Sequence, residues 1–139
     1  MIAMFLLPAL LHPIIFLAIE NPARGKAELI AIHEGAPFSV TSQHSMYDQP
    51  VTEEFVLDGH CHIVLKSVSS PSAAVREYFG ITSLRERHAV ERAMEQIVFR
   101  IAMGTPQRLN AGARERSFLE FGDHGDRLVM RAMALCPDS

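Results

Sequence analysis

The chain has 139 residues, 48% hydrophobic and 21% charged, with 13 Lys and Arg against 16 Asp and Glu for a net charge of −3. That length supports one domain with a modest core rather than two. The faint acidity argues against nucleic acid as a partner, because such binding rests on neutralising phosphates with Lys and Arg.

The apolar residues are concentrated at the start. Residues 1–19, MIAMFLLPALLHPIIFLAI, carry no charged side chain unless His12 is protonated. A helix of that length reaches roughly 28 Å, against about 30 Å for a bilayer's hydrocarbon core. The run reads as a membrane anchor or an uncleaved signal, the alternative being a buried core helix. Pro8 and Pro13 tell against an ordinary soluble helix and are better tolerated in a membrane. No Lys or Arg precedes the run, and FLAIENPARG is a poor cleavage site. Arg24 and Lys26 follow it, which by the positive-inside rule votes for a cytoplasmic domain, against the offset of Glu20 and Glu28. Residues 20–27, opening ENPARGK, read as a linker, and residues 28–139 as a single β-rich domain.

From residue 28 the pattern turns to strands: ELIAIHE, PFSVTSQHS, VTEEFVL and CHIVLKSV, with turn chemistry at YDQP and DG. Ser72 is a candidate N-cap ahead of a helical turn with Val75 and Phe79 four apart. SLRERHAVERAMEQ places Val90, Met94 and Ile97 at helical spacing and predicts a short surface helix. Strands resume at QIVFRIAM, RSFLEF and DRLVMRAMA, the last two separated by the turn GDHG. The expected fold is mainly β: a small antiparallel β-sandwich or half-open barrel, with one or two short helices and the N-terminal hydrophobic helix.

A hairpin centred on Asp48 and Gln49 would set Val40 opposite Leu57, Ser42 opposite Phe55, His44 opposite Glu53 and Met46 opposite Val51. His44 and Glu53 then meet on the mainly apolar face. A carboxylate there is costly unless paired, and an imidazole is a suitable partner. The pair either pins the register or forms a ligand-binding or proton-handling site at a cavity edge. Ser45 and Glu54 point the other way, so no nucleophilic triad converges.

In GHCH, His60 and His62 can share a face and are metal-ligand candidates, but two ligands are too few for a stable zinc site and no third is evident nearby. No metal or other cofactor is therefore assigned. His124 reads as a turn residue, and the runs Arg85-Glu86-Arg87 and Arg114-Glu115-Arg116 as solvated faces. Cys61 and Cys136 are either one disulfide in an oxidising compartment or two buried thiols.

HSMYDQPVTEEF resembles the signature of the bacterial family DUF 1850: a His-Ser pair, a Pro six residues after the His and a Glu three beyond that Pro. His44, Ser45, Pro50 and Glu53 occupy those places. GHCHIVLKSV fits the strand after the motif, and IVFRIAMGTPQRLNAG and GDRLVMRAM resemble the family's closing strands, so the likeness spans about residues 28–134. SPSAAVREYFGI stands where the family usually has a Gly-rich segment. The resemblance implies a membrane-anchored or exported accessory domain, extracytoplasmic or periplasmic, associated with the permease or solute-binding protein of a TAXI-type tripartite (TRAP) transporter. With no strong metal motif, nucleophile elbow or paired-carboxylate arrangement in the sequence, a non-enzymatic role is expected. The competing expectation is a ligand- or metal-binding sensor built on His44 and Glu53.

Overall fold

The computed structural model describes residues 15–44, 46–78 and 87–134. Ten strands fall within these residues: β1 Ile15–Asn21, β2 Lys26–Ile32, β3 Phe38–His44, β4 Gln49–Leu57, β5 Ile63–Ser69, β6 Arg87–Met94, β7 Gln96–Arg100, β8 Arg108–Ala111, β9 Arg114–Ser117 and β10 Arg127–Met133. One short helix, α1 Ala73–Tyr78, lies between β5 and β6. The strands form two antiparallel sheets, ordered β2-β1-β10-β7 and β6-β5-β4-β3-β8-β9. Neither sheet closes on itself, so the strands form two antiparallel layers in a sandwich-like arrangement and no closed barrel.

The apolar start of the chain corrects the first expectation. Its last five residues, Ile15 to Ile19, are strand, with Ile15, Leu17 and Ile19 buried in the main core. β1 pairs with β2 on one side and β10 on the other, so it lies inside the smaller sheet. A boundary at residue 19 falls within this strand. The linker expected over residues 20–27 holds the end of β1, a 3₁₀ turn at Pro22–Arg24 and the start of β2. Hydropathy cannot separate a buried sheet strand from a membrane segment when the run is continuous. Residues 1–14 lie outside the described residues, and no helix among the described residues is long and apolar enough to cross a membrane.

Two other elements differ from expectation. The segment expected as a surface helix is β6, whose backbone completes the edge of β5 from Ile63↔Met94 to Ser69↔Arg87. RSFLEF is strand only to Ser117. There the Ser117 side chain accepts from the Leu119 amide while Glu120 accepts from the Ser117 amide, forming a capping box that turns the chain into a 3₁₀ helix. The Ser72 cap does form, with its hydroxyl 3.3 Å from the Val75 amide.

The core lies between the sheets. Leu17, Ile19, Leu128 and Met130 of the smaller sheet face Phe38, Val40, Phe55, Leu57, Ile63 and Leu109 of the larger. Four strands cannot cover six, and α1 extends the cover: its Val75 is fully buried against Val51 and Val68 in a second, smaller cluster.

Candidate functional site

The β3–β4 hairpin has the expected faces but not the expected register. Phe38 pairs with Phe55, Val40 with Glu53, Ser42 with Val51 and His44 with Gln49. The connection is the stretch between His44 and Gln49, where Asp48 takes a left-handed φ of 49° and its amide donates to the His44 carbonyl at 2.8 Å. Moving the turn from Asp48-Gln49 towards Met46-Tyr47 shifts the pairing by four residues. An even shift preserves every side chain's face, since the period is two. Thr41 and Thr52 accordingly meet on the polar face, 3.1 Å apart.

His44 and Glu53 therefore share the inner face without meeting. The Ser42–Val51 pair lies between their rows, and Val40 stands opposite Glu53. Four residues of strand separate the rows by roughly 13 Å. His44 packs instead with aromatic rings, stacked on Tyr47 at 5.2 Å and edge-on to Tyr78 of α1 at 4.6 Å. Pro50 is the second residue of β4, two residues before β5 joins at Thr52↔Ser69, so its missing amide interrupts no ladder on that side. Ser45 lies outside the described residues.

Glu53 sits at the seam between the two apolar clusters, with Val40 and Val68 across from it and Val51 and Phe55 along the same face of β4. It is half-buried, and burial pushes its carboxyl above the usual carboxylate range. No described residue supplies a hydrogen bond or cation to offset that.

The histidine-rich loop is organised by Asp58. Its Oδ1 accepts from the His60 and His62 amides, each at 2.9 Å, and its Oδ2 lies 3.3 Å from His62 Nδ1. Burial alone would raise this carboxyl, but the hydrogen bonds from His62 and His60 together hold it below its ordinary value. The tight loop puts Cys61 at φ 59°. The His60 and His62 rings are 6.5 Å apart, and no group of three or more potential metal ligands forms among the described residues. Cys61 is disulfide-bonded. Cys136, the chain's other cysteine, lies outside the described residues.

The sequence reading missed the open side of the sandwich, where β2 approaches the β8–β9 hairpin. A cleft of about 310 Å³ is lined there by Glu28, Leu29, Ile30, Ala31, Leu109, Ala111, Arg114 and Arg116. A neighbouring cleft of about 400 Å³ shares Ala31 and Ala111 and continues to His33, Ser39 and Asn110. Arg116 is not a solvated charge: its side chain is 22% exposed and grips Glu28 with both terminal nitrogens. It also donates from Nε to Glu120 at 3.1 Å and lies 4.7 Å from the centre of the Phe121 ring. The available signal was the two-residue spacing of Arg114 and Arg116, which gives them one face of a strand.

Compared with known proteins, the chain matches no family model, no curated protein and no solved structure.

Proposed function

We propose that this chain is a membrane-anchored or exported, non-enzymatic accessory β-domain that assists a TAXI-type TRAP transporter from the extracytoplasmic side, as the resemblance to DUF 1850 implies. The observation that carries the reading is the disulfide at Cys61, since disulfides persist in oxidising compartments and are rare in the reducing cytosol. The apolar residues 1–14, ahead of β1, are the part of the initial run still available to a membrane. Arg24, which as a flanking charge argued for the opposite orientation, is committed to the fold: its Nη2 lies 2.5 Å from Asp123 and its Nε 2.6 Å from Asp126. Its role in holding a loop removes half of that contrary vote.

The test joins topology to partnership. A compartment-sensitive reporter fused to the C-terminus should be active outside the cytoplasm, Cys61 should resist alkylation until reduced, and the chain should co-purify with a transporter permease. A cytoplasmic reporter together with a freely alkylated Cys61 would overturn the location. Correct export without the permease would overturn the transporter role. The competing ligand-binding reading cannot rest on contact between His44 and Glu53; the clefts beside β2 support it instead.

A further inference from the structure

We propose that the cleft between β2 and the β8–β9 hairpin binds an amphipathic carboxylate, its aliphatic chain on the apolar floor and its carboxylate on Arg114. Of its apolar lining, Ile30, Leu109 and Ala111 look inward and form the floor, whereas Leu29 and Ala31 alternate to the other face of β2. A volume of about 310 Å³ lies at the lower end of the range usual for small-molecule sites, which are mostly apolar with a few placed polar groups. Ile30 and Ala111 are only partly buried against the core, so a ligand there would cover apolar surface that the fold leaves partly wet.

Charge selects the headgroup. β9 pairs with β8 through Leu109↔Arg116 and Ala111↔Arg114, and Leu109 belongs to the core, so both arginines lie on the inner side. Arg116 is committed to Glu28 and Glu120. The Arg114 side chain makes no ion pair or hydrogen bond among the described residues. Glu28, the one carboxylate lining this cleft, is neutralised by Arg116. Glu115 points to the other face of β9 and pairs with Arg108 at 2.5 Å. An entering anion therefore meets one uncommitted guanidinium and no uncommitted carboxylate on the lining. A guanidinium fork matches a carboxylate in two parallel hydrogen bonds. A single fork over an apolar floor suits one carboxylate with a hydrocarbon tail better than a multiply charged phosphate.

The experiment is a titration of the oxidised full chain, read at individual backbone amides by NMR so that partition into detergent does not register. Octanoate is the probe and 1-octanol its uncharged control. Octanoate should give saturable shifts at Ile30, Ala31, Leu109 and Ala111, with octanol about tenfold weaker or more, the difference expected of a charge-assisted hydrogen bond. Arg114→Gln should bring octanoate down to the affinity of octanol without changing the melting temperature. In a second variant, Ala111→Leu, the narrowed floor should weaken both probes alike. No saturable shift at these amides, equal affinity for the two probes, or undiminished octanoate binding by Arg114→Gln would overturn the proposal. The inference is independent of the transporter reading, and its failure would leave the topology and co-purification results standing.

Discussion

Glu53 and His44 show how much a side chain's meaning depends on what stands opposite it. Burial lifts the Glu53 carboxyl above its unfolded value, so folding favours the protonated form. Its contribution to stability is full below the unfolded pKa and is lost as pH rises through the folded one. Glu53→Gln should therefore stabilise the protein at pH 7 by about 1 kcal/mol, the order of cost for a half-buried acceptor without a partner. The gain should vanish in chemical denaturation measured at about pH 4 and below. His44→Ala should cost about 1 kcal/mol through its lost contacts with Tyr47 and Tyr78. The same denaturation series should show the Glu53 pH dependence surviving in that variant, whereas a direct ion pair would abolish it. The sequence showed that both side chains look inward, because parity along a strand is readable from alternation. It did not show that they are four residues out of step, because the turn position depends on Asp48 adopting a left-handed backbone conformation that a neighbouring Gly or Pro does not announce.

At the level of elements, hydrogen bonds from one residue often decide where a segment stops. Asp58 ties the amides of His60 and His62, and its lowered pKa means that it stabilises the fold above its unfolded pKa and ceases to do so as pH falls through the folded value. Asp58→Ala should cost about 1–2 kcal/mol near neutrality, and thermal melts of both proteins should converge in acid. Gln107 does similar work between the sheets: its side chain accepts from the Ala102 amide and donates to the Arg100 carbonyl, where β7 has just ended. The strands from β2 to β5 and β10 were legible because their alternation is regular and their turns carry Gly, Asp or Pro. β6 was not, because Val90 and Met94 satisfy a helical spacing as well as a strand's, and only pairing with β5 chooses between them. β1 was hidden by its own hydrophobicity. Leu17 is fully buried in the middle of the smaller sheet, so Leu17→Ala should lose about 3 kcal/mol in chemical denaturation. An anchor outside the domain would make that substitution silent.

Across the whole molecule, covalent and topological constraints reinforce each other. Cys136 is the one partner the sequence offers Cys61 within the chain; a bridge between them closes a loop of about 75 residues and is worth roughly 4 kcal/mol in the chain-entropy view. Reduction should lower the melting temperature by an amount that Cys61→Ser reproduces, and non-reducing electrophoresis should show a monomer. The sheet order carries a consequence of its own. β1 is hydrogen-bonded to β10 from Phe16↔Met133 to Glu20↔Val129, so the first and last described strands are immediate neighbours. Such pairing joins the most distant parts of the sequence and delays closure of the core. A chain emerging from the ribosome cannot complete its smaller sheet until β10 has been made. The late arrival of β10 leaves the polypeptide slack until that strand docks between β1 and β7 and locks the smaller sheet.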